Sequence, residues 1–397
     1  MLVLSDVHLS RSYGMATSAD LAQLVARHTH CELVLAGDVV DLTLDAAQVT
    51  AQSSLQAALA PHQQLVGAVR KHVRAGGRVS FIPGNHDSTL AQNEAVTELR
   101  QLFEAPNDDV ITLYPWFLRR GGLHIEHGHL YDPDCAPSHP LADPNPNHEG
   151  IGNALMRRFV APNEAYHFAH KNQITMSSAL VSAFKQWGPQ APLIIARYFQ
   201  TAVALWTEAG LKGHAVRAEK RQGEQRIPSY AEAQDVPVAA LLQLLATAPS
   251  PTHHRAWDVF LRLYFDRVFA VGSLALGASM LASAGLGAAL GTVPLVSSAG
   301  LLTYGGTLLS GLGAGYLLSH LTKKNPYGDA VIGQLKAASL QIRAATAADL
   351  VILGHSHVEV DEPGYVNLGS FGYGRKGRPY LLVDAQGRHE KQVFVAD

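Results

Sequence analysis

The chain has 397 residues, 31 Lys and Arg against 33 Asp and Glu, a formal net charge of -2 and two cysteines. So even a charge balance gives no global basic field, so no nucleic-acid partner is expected. Cys31 and Cys135 cannot form a disulfide framework, which fits a reducing compartment, and the length allows one large core with an added module or two domains.

The first predicted strand, Leu2 to Leu4 of LVLSDVHLS, is followed by Asp6 and His8 at i, i+2, a spacing that points both side chains to one side of an extended segment. No basic n-region with an apolar core opens the chain, so no cleaved export signal is expected. Thr17 or Ser18 is placed to cap a helix through LAQLVARH, whose apolar spacing suits a face packed on a sheet. A second strand, Leu33 to Ala36, exits through Gly37 to Asp38, with Asp41 a little further on. Ala46 to Ala75 reads as helical, interrupted near Pro61 and stopped by Gly76-Gly77. In FIPGNHDSTL an apolar run meets Pro83, Gly84, Asn85, His86 and Asp87; taken alone, that cluster is a turn. Asn93 is placed to cap EAVTELRQLF, and the run Leu123 to Ile125 leads to His127 and His129. These alternations predict a layered α/β domain.

Beyond His129 the pattern changes. Pro133 to Gly150 is too rich in Pro and Asp for regular structure, and Ile151 to about Thr247 reads as mostly helical. From Val268 to Thr322, 55 residues pass without one Asp, Glu, Lys or Arg, enough for two bilayer spans with a turn at Thr292-Val293-Pro294. Gly287 with Gly291, and Gly311 with Gly315, offer small residues at four-residue spacing for close helix approach. Asp266 and Arg267 precede the run and Lys323 and Lys324 follow it, so a hairpin returns both flanks to one side, and the basic residues favour the cytoplasmic one. A buried Ala/Gly-rich hairpin and an apolar lid dipping into one leaflet are the competing readings. Val331 to Ala348 then reads as an amphipathic helix into DLVILGHSHVEV, where Val351 to Leu353 lead through Gly354 to His355 and His357. The remaining residues read as closing antiparallel strands.

Five apolar runs therefore deliver carboxylate, imidazole or amide groups just past their ends, where open α/β sheets carry their sites. Aspartate, neutral imidazole and an Asn oxygen together suit Mn, Fe, Zn or Mg. The blocks Asp6-Val-His8, Gly37-Asp38-Val-Val-Asp41, Gly84-Asn85-His86-Asp87, His127-Gly-His129 and Gly354-His355-Ser-His357 resemble the ordered motif set of the calcineurin-like metallophosphoesterases. The compact HGH block and the helical insertion after it are most similar to the UDP-2,3-diacylglucosamine hydrolase branch, although the insertion is far longer and GNHD stands where that branch has GNRD.

The resemblance implies a layered β-sandwich flanked by helices, divided into residues 1–132 and 331–397 by a helical insertion at 133–330 that holds the hairpin at about 268–322. It also implies two divalent metal ions. One would take Asp6, His8 and His357, the other Asn85, His127 and His355, with Asp38 bridging. Cations held about 3.5–4 Å apart acidify a shared water and clamp a phosphoryl group in line. His86 would stabilise developing charge or protonate the leaving oxygen, with Asp87 orienting its imidazole. Asp41 is read as a cap or a support for a ligand, and His129 as a support, a substrate contact or a solvated loop residue. Arg11, Arg119 and Arg120 could meet phosphate or be ordinary surface arginines.

The expected function is a binuclear phosphoesterase at the inner membrane, with its catalytic domain on the cytoplasmic side, cleaving a phosphoester or pyrophosphate in a lipid-linked substrate. The alternatives are a cytoplasmic or merely anchored phosphatase or phosphodiesterase acting on soluble esters, and a membrane-bound sensor without turnover.

Overall fold

The computed structural model describes every residue except 45–50, 146–147, 166–175, 212, 290–297, 322–325, 375–376 and 397. In chain order the strands are β1 (Leu2–Leu4), β2 (Leu33–Ala36), β3 (Val79–Ile82), β4 (Ile111–Leu113), β5 (Phe117–Arg120), β6 (Leu123–Glu126), β7 (Leu350–Leu353), β8 (Glu359–Glu362), β9 (Tyr365–Leu368), β10 (Arg378–Val383) and β11 (His389–Phe394). They form two sheets, ordered β11-β10-β1-β2-β3-β4 and β5-β6-β7-β9-β8. β1 to β4 run parallel, and so do β6, β7 and β9.

Alternation along each strand explains the layering. Leu2 and Leu4 face helices, while Val3 joins Val34, Ile82, Ile125, Ile352 and Leu381 in the core between the sheets. Both faces are apolar because both are covered. Helices α1 (Met15–Arg27), α2 (Ala51–Leu59), α3 (Gln63–Arg74) and α4 (Asn93–Leu102) cover the first sheet. The second lies under α9 (Val238–Thr247) and α13 (Pro326–Thr346), through Leu241, Leu244, Leu335 and Ile342. Residues 350–394 thus complete both sheets, next to β1 and next to β6.

Three local expectations change. Asn93 is the first residue of α4 and not its cap, which is Gln92. Neither Thr17 nor Ser18 caps α1, which begins at Met15 after Gly14 in a left-handed conformation (φ 91°). Ser18 instead donates to the Met15 carbonyl at 2.9 Å and meets His62 Nδ1 at 2.8 Å. The closing strands are not all antiparallel, because β9 returns from its hairpin with β8 to lie parallel to β7.

Between β6 and β7 come the short α5 (Ile151–Leu155), α6 (Met176–Trp187), α7 (Ala191–Leu211), α8 (Gly213–Ala233), α9 and α10 (Ala256–Arg262). Two long apolar helices follow, α11 (Phe265–Ala289) and α12 (Ser298–Leu321). The expected turn at Thr292-Val293-Pro294 and the flanking Lys323 and Lys324 lie outside the described residues. Among the described residues two spans are long and apolar enough to cross a membrane, Phe265–Gly287 and Leu301–Leu318, and only 17% and 11% of them is buried in the chain. Phe269, Leu276, Leu286, Leu301, Leu308 and Leu318 all stand exposed. Within one chain, then, this is not a buried hairpin.

Of the two glycine pairs at four-residue spacing, Gly291 lies outside the described residues, and the close approaches that are described fall on glycines other than Gly311 and Gly315. A Cβ on Gly277 would lie 2.6 Å from the Gly306 carbonyl oxygen, one on Gly306 would lie 2.8 Å from that of Gly277, and one on Gly313 would lie 2.5 Å from that of Ala270. At Gly311 or Gly315 a Cβ would meet nothing within 4 Å. Gly306→Leu is therefore expected to force α11 and α12 apart at a cost of about 1–3 kcal/mol, and to lower the thermal midpoint in detergent by several degrees. Gly311→Leu should be neutral or slightly stabilising, since it adds helix propensity and clashes with nothing. Equal melting curves for the two variants would refute this packing.

Candidate metal centre

Each expected ligand follows the end of a strand, and main-chain hydrogen bonds sew the carrying loops together. After β1 the amides of Asp6, Val7 and His8 donate to the carbonyls of Gly37, Asp38 and Asp38 at 3.0, 2.9 and 2.9 Å. The Gly354 amide donates to the His127 carbonyl at 2.9 Å, and the Asn367 side chain donates to the Gly354 carbonyl at 2.7 Å. Asp6, His8, Asp38, His355 and His357 all hold left-handed φ angles between 53° and 68°. That region costs a non-glycine residue about 1–3 kcal/mol, and such strain persists where surrounding structure enforces it, commonly at functional sites.

Glycines provide the clearance. A Cβ on Gly37 would lie 2.3 Å from His127 Nδ1, one on Gly84 2.2 Å from Asp38 Oδ1, and one on Gly354 2.6 Å from Asp6 Oδ2. No larger residue fits between these strand ends without displacing a candidate ligand.

Two groups result. In the first, Asp6 Oδ1 is 3.0 Å from His357 Nε2 and 3.8 Å from His8 Nε2, and the two imidazole nitrogens are 3.1 Å apart. In the second, Asp38, His127 and His355 bring ligand atoms within 4.8 Å of one another, with Asp38 Oδ2 3.2 Å from His127 Nε2. Asp38 Oδ2 is also 4.0 Å from His8 Nε2, so its carboxylate lies between the groups. Asn85 is buried, and its Nδ2 donates to Asn153 Oδ1 at 3.0 Å. Its Oδ1 finds no donor among the described residues. An amide whose nitrogen is engaged and whose buried oxygen lacks a donor is suited to a cation, and the imidazole, carboxylate and amide donors together fit a hard or borderline divalent ion.

The electrostatics agree with that fit. Burial opposes a charge on His127, yet Asp38 and Asp6 raise its pKa to about 9. Burial likewise works against ionised Asp6 and Asp38, but His127, with His357 for Asp6 and His86 for Asp38, holds both well below the usual carboxylate range. The acidic cluster is arranged to be compensated by positive charge, which protons on the imidazoles or a bound cation can supply.

Asp87 is not placed as expected. Its buried carboxylate accepts from the amides of Gly84, Val39 and Asp38 at 2.6, 2.7 and 3.2 Å, tying the turn after β3 to the one after β2. A carboxylate with no solvent exposure needs such donors, and they turn it away from the neighbouring imidazole; burial, then the charge of Asp38, raises its pKa to about 6. His86 meets Asp41 instead, with Nδ1 3.1 Å from Asp41 Oδ1. Asp41 in turn accepts from Tyr13 Oη at 2.6 Å and Thr43 Oγ1 at 2.5 Å. Burial opposes protonation of His86, but Asp41 and Asp38 raise its pKa to about 10. His8, Asp41 and His86 also gather ligand atoms within 4.8 Å.

His129 is half-buried, with its ring 5.4 Å from that of His127. It lines a shallow cleft with Pro83, Gly84, Ser88, His139 and Glu219. Arg119 donates to the Thr346 carbonyl at 2.7 Å, and Arg120 pairs with Glu32 just before β2, at the far end of the strands from the ligands. Neither meets phosphate at this centre.

Sequence reasoning missed Asp132, Asn153 and Asn367. Asn367 stands in the run Tyr365-Val366-Asn367 on β9, and Asp132 lies three residues beyond His129, so each is near a segment that the sequence marks. Asn153 comes from the helical segment, where nothing in the sequence marks it. Residues 1–184 match the family model described as calcineurin-like phosphoesterase. That match holds Asp6, His8, Asp38, Asn85 and His127 and ends well before His355 and His357. No curated protein matches the chain, and the family model supports the superfamily alone.

Proposed function

Since residues 1–184 match the calcineurin-like phosphoesterases, a family of metal-dependent phosphoester hydrolases, we propose that this enzyme works through a binuclear centre and acts on a lipid-linked phosphoester or pyrophosphate at a membrane. The position of Asp38 carries the first part. One buried carboxylate reaches toward His127 at 3.2 Å and His8 at 4.0 Å, as a residue shared by two ion sites must. Asp6, His8 and His357 would hold one ion, and Asn85, His127 and His355 the other. Divalent cations bound there supply a water of lowered pKa and neutralise charge developing on the phosphoryl group. His86, kept protonated by Asp41, donates to the leaving oxygen. Asp87 keeps the loops of Asp38 and Asn85 in register.

The helical segment at 133–330 interrupts the phosphoesterase domain, whose closing part is 331–397. Its exposed apolar helices support a hairpin that enters the bilayer. Because the segment leaves the sandwich between His127 and His355, an embedded hairpin brings the centre to the surface where a lipid presents its head group. The cytoplasmic face of an inner membrane follows from the basic flanks in sequence.

Two experiments test the parts separately. In cell fractionation the protein should sediment with membranes, resist high salt and alkaline carbonate, and dissolve in detergent; release by carbonate would remove the hairpin reading. With Mn present, the purified enzyme in detergent should hydrolyse both bis-p-nitrophenyl phosphate and a UDP-linked diacyl sugar. Cleavage of the soluble ester with no turnover of any lipid phosphate would leave the centre in place and end the lipid claim.

A further inference from the structure

His355 has a partner outside the proposed ligand set. Its Nε2 lies 2.9 Å from Asp132 Oδ2, and Asp132 is buried. In that hydrogen bond Nε2 carries the proton, which leaves Nδ1 unprotonated, and His355 also offers a ring nitrogen within 4.8 Å of ligand atoms of Asp38 and His127. Asp132 is fixed in turn. Its Oδ1 accepts from the Asp134 amide at 3.0 Å, and its carbonyl accepts from the amides of Cys135 and Ala136 at 3.0 and 2.7 Å. Asp134 accepts from Thr252 Oγ1 at 2.7 Å and pairs with Arg262, the last residue of α10. The Thr252 amide donates to the Pro133 carbonyl at 2.7 Å.

We infer that Asp132 is a positioning residue that sets the tautomer and ring orientation of His355 for metal binding, and that Asp134 and Arg262 brace it from the helical segment. This rests on the reading of His355 as a ligand. A carboxylate on the far nitrogen of a ligating imidazole fixes the ring and raises its basicity, and losing such a partner typically lowers metal affinity about 10–100-fold. The backbone of His355 is held as well, in the left-handed region at φ 68° with its amide donating to Asp6 Oδ2 at 3.1 Å. Cys135 stands in the same group of potential ligand atoms as Asp132 and His355, so a separate ion held by these three is the rival arrangement.

The test is Mn(II) titration of the full-length, metal-stripped protein in detergent by calorimetry, with thermal midpoints recorded for every variant to separate unfolding from lost affinity. Asp132→Ala should weaken the more sensitive site about 10–100-fold, and Asp132→Asn, which still accepts a hydrogen bond, should recover part of the loss. Cys135→Ala should bind as wild type does. Wild-type affinity in Asp132→Ala, while His355→Ala loses binding, overturns the role of Asp132 and leaves the metal centre standing. Equal losses in Cys135→Ala and Asp132→Ala overturn it in favour of a three-residue ion site. Failure of the wild type to bind Mn, or unchanged binding in His355→Ala, overturns the ligand assignment and this inference with it.

Discussion

Asp38→Ala is expected to lower kcat/KM for bis-p-nitrophenyl phosphate by about a thousandfold or more and to cut bound metal at both sites. A bridging carboxylate acts on both cations, so its loss removes several kcal/mol of transition-state stabilisation, and about 4 kcal/mol is a factor of about 10³. The surroundings sharpen the expectation. Asp38 is 1% exposed, faces His127, His8 and His86, and accepts the His86 amide at 2.8 Å through Oδ1. Asp38→Asn keeps that hydrogen bond while removing the charge, so it separates loss of metal from collapse of the turn after β3. Metal per chain by plasma mass spectrometry and the rate with added Mn decide the matter. Activity within about tenfold of wild type, in a variant that still folds, would mean that the two groups do not share this residue.

His86→Ala should reduce turnover about 10²–10⁴-fold while leaving metal content close to wild type, the range expected for removal of a general acid. Equal loss of metal and rate would show that His86 is a ligand, as its proximity to His8 and Asp41 would then require. Asp41 gives a second handle on the same residue. A donor must be protonated, so the alkaline limb of the rate profile follows the pKa of His86. Asp41 raises that pKa against the opposing effect of burial. Asp41→Asn removes the negative charge, so the limb should move to lower pH, with a smaller loss at neutral pH than in His86→Ala. The same change at Asp87 should move the limb less and lower stability more, because its charge acts on His86 more weakly than that of Asp41 while its carboxylate serves four backbone amides. A limb that moves with Asp87 and not with Asp41 would reverse the two assignments.

The candidate ligands were legible because they follow short apolar runs, through a glycine at Asp38, Asn85 and His355. Their supports were not. Asp87 follows His86 in the chain, but adjacency does not say where a carboxylate points, and a buried one goes where amides await it. Asn153 reaches Asn85 across 68 positions, a meeting that only the packing of the helical segment creates. The hairpin shows the same limit in another form. Its existence could be read from 55 uncharged residues, yet its contact face could not, because helices that are apolar all round offer no polar stripe to set their rotation. The spacing of Gly311 and Gly315 was real, but it lies on the side away from α11.

His8 and His357, whose imidazoles are 3.1 Å apart, are separated by 349 positions in sequence. A growing chain therefore carries Asp6, His8, Asp38, Asn85 and His127 for a long stretch of synthesis with neither group complete. Both wait for β7 and the turn that follows it, and α11 and α12 emerge earlier. On the membrane reading, the ribosome delivers the anchor to lipid before the hydrolase exists, so a chain released early would be held at the bilayer and inert. The order of synthesis would then confine hydrolysis to its proper surface without a separate inhibitor.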